Sequence, residues 1–332
     1  MLKVAIIRLS AMGDIIHSAS ILPLLLENLK KTYQDVILHW YVDSVFKEIL
    51  EDSPLICKVI PIPLKQSIKE KNLKNLMQIY KTLKSEKYDY VLDLQGLIKS
   101  AIVGKLLESK NFIGFDKRSI KEPLASLFYT KKISSPYEEH ILLRNAKLAF
   151  LAFGVQPPSL EELLSSKNFL GFKNQDFSLQ TSPKVLFVLE TSKANKTYPL
   201  ESFIKLAKLF NSLNIKPIFL THKMQIPQSE CYHSIHSLNL SEVKSLLSSM
   251  DLVIGGDTGI THLAWALSIP SITLFGATPK KRFSLNTKIN LSLESNKEAN
   301  YDKKDFSIQK IDPQEIFALS KTLLKKENYA KN

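Results

Sequence analysis

Cysteine is nearly absent from this 332-residue chain. Cys57 and Cys231 stand far apart, with no CxxC pair and no Cys/His cluster. That excludes a disulfide framework and a zinc site of the usual spacing, and it suits a reducing compartment. Long apolar runs are missing too. Each is broken by charge or proline well before the roughly 20 residues that a spanning helix needs. The opening MLKVAIIRLSAMGD passes from a short apolar run into Gly13-Asp14 with no small-residue cleavage site. It reads as a first strand rather than a signal peptide. One glycine follows that strand, so the GxGxxG dinucleotide fingerprint is not met. No tandem repeat of 20–50 residues is present.

Acidic residues are outnumbered, 32 against 45 Lys and Arg, for a formal charge of +13. The excess is uneven: residues 60–150 hold 17 Lys and Arg against 9 Asp and Glu. Such a patch points to nucleic acid, anionic lipid or a phosphorylated ligand. A lysine-rich composition in general would produce the same count. The basic residues are not interleaved with aromatics and no nucleic-acid-binding module matches, which argues against nucleic acid as a partner.

What is present is alternation. Short β-branched runs at Lys3–Leu9, Val36–Val42, Val59–Ile62, Tyr90–Leu94 and Phe112–Phe115 are separated by amphipathic stretches near 14–30, 70–86, 96–109 and 137–153. The pattern restarts with Val185–Leu189, Pro217–Leu220, Leu252–Ile254 and Ile272–Phe275, and with helical stretches near 200–213, 241–249 and 258–268. Strand–helix alternation at this spacing predicts an α/β fold of two Rossmann-like parallel-sheet halves. The length agrees with about two domains. The expected division is residues 1–160, a linker at 161–183, a second domain at 184–310, and a last helix at 311–332 that could pack back toward the N-terminal domain. The polar segment 294–305 reads as a mobile loop.

Open α/β sheets hold ligands at the carboxyl ends of their strands, and the informative strings lie there. Ser10-Ala11-Met12-Gly13-Asp14 ends the first strand. Asp14 either faces a ligand or caps the helix it begins. Gly255-Gly256-Asp257-Thr258-Gly259-Ile260-Thr261-His262 joins a strand to a helix N-terminus, a natural phosphate site. Asp257 would repel phosphate if it pointed inward, so it is expected on a sugar hydroxyl or a backbone N–H. His262 either donates to a ligand or is a packed polar residue. Thr191-Ser192-Lys193-Ala194-Asn195-Lys196 offers hydroxyls and lysines suited to a diphosphate, or is a solvated loop. Asp93-Leu94-Gln95-Gly96 and the segment 121–132 lie in the basic half, where Lys65, Lys99, Lys121 and Arg144 could frame an anionic ligand.

Together these strings resemble the bacterial lipopolysaccharide heptosyltransferases, and KEPLASLFY favours the first of them over its sister enzymes. SAMGDIIHS at 10–18, DLQGLIKSA at 93–101, KEPLASLFYTKK at 121–132, the Lys196-Thr-Tyr-Pro turn and GDTGITHLAWALSIPSITLFGAT at 256–278 occur in order across most of the chain. The resemblance implies the GT-B arrangement, two Rossmann-like domains facing a cleft. It implies an ADP-L-glycero-β-D-manno-heptose donor on the second domain and the Kdo of lipid A as acceptor on the first. It implies inverting transfer with no metal and no cofactor, in a cytoplasmic protein held peripherally at the anionic cytoplasmic face of the inner membrane. The catalytic base falls on Asp14. Donor binding falls on Thr191, Ser192, Lys196, Leu238, Asp257, Thr258, Gly259 and His262, and acceptor binding on Ser10, Gly13, Lys65, Lys99, Lys121 and Arg144. Ser192 stands where the family has a second threonine, Leu238 where it has methionine, and Lys121 where it has arginine. A family glutamate expected after Leu220 has no match in Thr221-His222-Lys223-Met224-Gln225. A related transferase using another nucleotide sugar, or a non-catalytic nucleotide-sugar or polyanion binder, would share much of this pattern.

Overall fold

The computed structural model describes residues 1–179 and 181–330, leaving aside the side chains of Lys65 and 326–330. The chain divides into two compact units, Met1–Gly171 and a second beginning at Phe172.

The first unit runs β1 (Leu2–Ile7), α1 (Met12–Ala19), α2 (Leu22–Lys30), β2 (Val36–Asp43), α3 (Lys47–Leu50), β3 (Lys58–Ile62), α4 (Leu64–Lys69), α5 (Leu73–Lys84), β4 (Tyr90–Asp93), α6 (Ile98–Leu106), β5 (Asn111–Phe115), β6 (Lys131–Ile133), α7 (Ile141–Ala152) and α8 (Leu160–Leu164). The second continues with β7 (Val185–Val188), α9 (Leu200–Asn211), β8 (Ile218–Thr221), β9 (His233–His236), α10 (Leu240–Ser248), β10 (Leu252–Gly256), α11 (Gly259–Ala266), β11 (Ser271–Phe275), α12 (Lys280–Phe283), β12 (Asn290–Glu294) and α13 (Pro313–Ala330).

Each unit holds a six-stranded parallel sheet, ordered β3-β2-β1-β4-β5-β6 and β12-β11-β10-β7-β8-β9. Central strands such as β1, β7 and β10 are buried on both faces, which is why they read as continuous apolar runs. Both strand orders reverse beside the first strand of their sheet, so the switch-point crevices lie at the carboxyl ends of β1 and β4 and of β7 and β10.

Three strands escape the sequence reading: β6 (KKI), β9 (HSIH) and β12 (NLSLE). β6, β9 and β12 each end a sheet. An edge strand buries little and keeps polar side chains, so it has no hydrophobic run to detect. The helix expected at 14–30 is split, and an unforeseen short helix, α4, precedes the one expected at 70–86. Pro23 lacks the N–H that a helix interior needs and is tolerated in the first turn of α2, so a new helix begins after Ser20. Lys71 takes a left-handed φ of 51° between α4 and α5, and Asn72 caps α5 by accepting from Asn75 N at 3.0 Å.

The stretch read as a linker is tied down. Phe169 is buried and its carbonyl accepts from Ser53 Oγ at 2.7 Å, while Gln175 N donates to Ser245 Oγ at 2.7 Å. The last helix packs on α9 within its own unit, with Phe317 edge-on to Phe210 at 5.2 Å; residues 331–332 of the expected span lie outside the described residues. Segment 294–305 is tethered rather than loose. Tyr301 N donates to Ala277 O at 2.9 Å and Asn195 Nδ2 to Asp302 O at 2.9 Å. Its polar side chains bond within the segment, Asn296 Nδ2 donating to Asp305 Oδ2 at 2.8 Å and Lys304 N to Asp302 Oδ1 at 2.9 Å. No helix among the described residues is long and apolar enough to cross a membrane.

Candidate functional site

In the first unit the ends of β1 and β4 meet. Asp93, at the end of β4, is fully buried, and its carboxylate accepts from Gln95 N at 2.9 Å, Gly96 N at 3.1 Å and Tyr129 Oη at 2.8 Å, with Ser100 Oγ at 2.8 Å. Burial pushes its carboxyl above the ordinary range, while these hydrogen bonds pull the other way. Asp93 therefore shapes the turn into α6. Gly96, at φ 69°, supplies the left-handed residue that the turn requires. The turn in turn aims Gln95, whose Oε1 accepts from Leu9 N at 2.8 Å and whose Nε2 lies 3.5 Å from Ser10 Oγ. Lys99 Nζ reaches the same Ser10 Oγ at 3.3 Å. Ser10 and Lys99 are thus brought together.

Asp14 lies in the first turn of α1, one-third exposed, and its Oδ2 pairs with Arg8 Nη2 at 2.9 Å. Its reach back to Ala11 N is long, 3.4 Å, so the capping contribution is weak. Arg8 comes from the end of β1, is nearly buried, and donates through Nη1 to the Leu94 carbonyl. Sequence reading did not single out Arg8, although a lone arginine in the apolar run LKVAIIRL is a detectable signal. Gly13 sits half-exposed in the same turn. His17, by contrast, is buried in α1.

Arg144 does not line an open surface. Its guanidinium is buried, donates to the carbonyls of Ser135, Pro136 and Ser119 at 2.5–2.7 Å, and stacks near the rings of Phe115 and Tyr137. It ties the 119 and 135 segments to α7, which corrects the expectation that it meets an acceptor. Lys121 is exposed, 5.3 Å from the Tyr137 ring. The side chain of Lys65 lies outside the described ones.

In the second unit the loop after β7 packs on the turn after β10. A Cβ on Gly256 would come within 2.4 Å of the Lys196 carbonyl oxygen and 3.0 Å of Thr191 Cγ2, so only glycine permits this approach. Thr191 Oγ1 bonds the Lys193 carbonyl at 2.7 Å and Thr197 Oγ1 at 2.9 Å, which rigidifies the loop. Lys196 Nζ then meets Asp257 Oδ2 at 2.5 Å, and His262 Nε2 lies 3.0 Å from Oδ1. The partners of Asp257 are these two side chains rather than a backbone N–H. Burial opposes its ionisation, but the Lys196 ammonium and the His262 ring outweigh it and hold the carboxyl far below the usual range. Thr258 precedes α11, and Gly259 is its first residue, so the first N–H groups of α11 open beside Lys196. The site gathers Lys196, His262 and the N-terminus of α11 around the Asp257 carboxylate.

Beyond it, Glu190 at the end of β7 gathers the backbone N–H groups of His222, Lys223 (3.0 Å) and Met224 (3.1 Å) after β8. Burial raises its pKa, but those three donors win and leave it lowered. Sequence reading looked for a glutamate after β8 and passed over this one, because two loops meet only in the folded sheet. Ser237 Oγ donates to the His222 carbonyl at 3.2 Å, which sets half-buried Leu238 beside that loop. Ser192 is exposed.

Comparison with known proteins now decides the family. The glycosyltransferase family 9 (heptosyltransferase) pattern matches residues 76–314. A lipopolysaccharide heptosyltransferase 1 of Campylobacter coli is 36% identical, covering 97% of this chain and 99% of the relative. The chain belongs to glycosyltransferase family 9. It is a heptosyltransferase by family, and its two parallel sheets form the GT-B fold. A lipopolysaccharide heptosyltransferase 1 of Escherichia coli K12 is 27% identical over 83% of this chain and 88% of its own. An E. coli heptosyltransferase solved with ADP superposes with a TM-score of 0.78 at 20% identity, covering 97% of this chain and 100% of that one. The E. coli ADP-heptose LPS heptosyltransferase II gives 0.75 at 17% identity, covering 98% and 100%.

Proposed function

We propose that this heptosyltransferase moves L-glycero-D-manno-heptose from ADP-heptose to the Kdo of lipid A, as the first heptose of the lipopolysaccharide inner core. The observation that carries the reading is the cradle in which Asp257 holds Lys196 and His262 at the mouth of α11. It supports this reading because the Lys196 ammonium and the N-terminus of α11 can meet the charge that a diphosphate leaving group gains. Thr191, Ser192, Thr258 and Gly259 complete the donor site, and Leu238 lies toward the nucleoside.

On the acceptor side, Ser10, Lys99 and Lys121 receive the anionic sugar. Asp14 takes the proton of the attacking Kdo hydroxyl as its oxygen bonds the anomeric carbon. The bond from that carbon to the diphosphate breaks on the opposite face, with its electron pair leaving on ADP, so the configuration inverts. Lys196 and the α11 N-terminus meet the new charge, which makes a metal ion unnecessary. Arg8 orients Asp14 from behind. The enzyme works on the cytoplasmic face of the inner membrane, where its lipid-anchored acceptor lies.

The test is mass spectrometry of Kdo–lipid A incubated with enzyme and ADP-heptose, with and without EDTA. One added heptose under both conditions, α- or β-linked opposite to the donor by NMR, is the expected product. Transfer from a different nucleotide sugar in preference, or activity lost to EDTA and restored by magnesium, would overturn the corresponding part.

A further inference from the structure

In the first unit one layer of the fold is left with an uncovered apolar exterior. α5 packs on α6, and α6 packs on the 3-10 turn Pro123–Phe128. Their inner residues, Leu83, Ala101, Val103 and Ala125, join the core on one face of the sheet. Their outer residues do not follow the usual rule. Leu73, Met77 and Tyr80 form an i, i+4, i+7 stripe along α5, with Leu73 78% and Met77 56% exposed. Ile102 on α6 and Leu124 and Leu127 on the turn are exposed as well, Leu127 at 73%. Single exposed leucines are ordinary, but six large apolar side chains on three successive elements are a surface.

The charge on the same elements has one sign. α5, α6 and the 123–128 turn contain no Asp or Glu, whereas Lys74, Lys81, Lys84 and Lys105 are exposed on the two helices. Exposed apolar side chains sharing their helices with exposed lysines, and no carboxylate within the three elements, match an interfacial helix on an anionic bilayer. The leucines enter the headgroup boundary, and each lysine near the surface adds attraction to anionic lipid. A second copy of this chain would offer lysine to lysine and fits less well. The surface also borders the acceptor edge. Lys99 in the first turn of α6 reaches Ser10, and Ile98 N donates to Glu122 Oε2 at 2.7 Å just ahead of the turn.

We propose that the outer face of α5, α6 and the 123–128 turn is the surface by which this enzyme docks on an anionic phospholipid bilayer. The proposal rests on the reading of the acceptor as a lipid-anchored sugar. A sugar held at the membrane by its acyl chains stays within reach of Ser10 and Asp14 only if the surface next to them faces the lipid.

Flotation of the purified full chain with vesicles tests it, using phosphatidylcholine alone or mixed with phosphatidylglycerol. The wild type binds the mixed vesicles, less as salt rises, and leaves the neutral ones. Leu73→Ser/Met77→Ser, and independently Leu124→Ser/Leu127→Ser, each lower the binding constant at least about tenfold, because two large apolar side chains leave the interface. Thermal melts establish that each variant is folded, and the second pair decides if the first is not. Both variants keep wild-type turnover on a deacylated, water-soluble acceptor and lose it on a vesicle-embedded one. Variants that float like wild type, equal binding to neutral vesicles, or a wild-type dimer that the variants convert to monomer would each overturn the proposal. Failure of the wild type on both acceptors would overturn the functional reading while leaving the flotation result to judge the surface.

Discussion

Lys196 Nζ and Asp257 Oδ2 stand 2.5 Å apart, joining the loop after β7 to the turn after β10. The pair is largely buried, so the aspartate both balances the lysine and aims it. Lys196→Ala removes the charge that meets the diphosphate and strands a buried carboxylate with His262 alone. ADP-heptose affinity and kcat should both fall, with kcat/KM down by about 10²-fold or more, and stability should drop by roughly 2–4 kcal/mol. Steady-state kinetics and a urea melt on one preparation measure both. Unchanged parameters would make Lys196 an ordinary loop lysine.

The same pair sets an acid limb. Asp257 has a folded pKa far below its unfolded value, near 3.9 for an ordinary aspartate (about). The stability it contributes is therefore complete above roughly pH 5 and is lost as pH falls toward the folded pKa. Urea melts from neutral pH down to about pH 3 should show wild type losing its advantage over Asp257→Asn across that window. A gap between the two that stays constant with pH would contradict this assignment.

Gly256→Ala tests the close approach behind the cradle. The added methyl would meet the Lys196 carbonyl at 2.4 Å, and a backbone oxygen cannot swing aside. The loop must shift, at a cost of about 1–3 kcal/mol. Donor KM should rise with acceptor KM unaffected. A variant with wild-type melting and kinetics would show that the two segments do not pack this closely.

Glu190 holds three backbone N–H groups of the loop after β8. Glu190→Ala should release that loop and raise the KM for ADP-heptose several-fold, while the KM for acceptor stays constant. Glu190→Gln, which keeps an acceptor oxygen, should recover part of the loss. Equal effects on both substrates would point to general unfolding of the unit instead.

Asp14→Asn separates the proton acceptor from the helix cap. Asparagine keeps the size and most of the capping ability, and losing the Arg8 partner should cost at most about 1 kcal/mol, because Asp14 is one-third exposed. If Asp14 is the base, kcat falls by at least roughly 10²-fold in a folded variant that still binds donor. Near-normal turnover would remove it from the mechanism. Asp93 and His17 are poor replacements: Asp93 is enclosed by its hydrogen-bond donors, and His17 is buried in α1.

Much of this protein was legible in the order of its residues. The central strands of both sheets announced themselves because burial on both faces demands unbroken apolar runs. The strings at 10–14, 191–196 and 255–262 could be placed at strand ends because parallel sheets present their ligand edge there. Other features depend on atoms far apart in the chain and leave no local trace. Whether Arg144 met a ligand or three carbonyls was decided by the packing of α7. Whether Asp257 faced a hydroxyl or Lys196 was decided by a glycine 60 residues from the lysine, through contact of two loops. Edge strands β6, β9 and β12 were invisible because exposure removes the hydrophobic selection that makes a strand readable. Sequence alone determined which residue types sit at each strand end, since that is set by local pattern. Which of them touch was decided by tertiary structure, because hydrogen bonds and ion pairs form between neighbours in space.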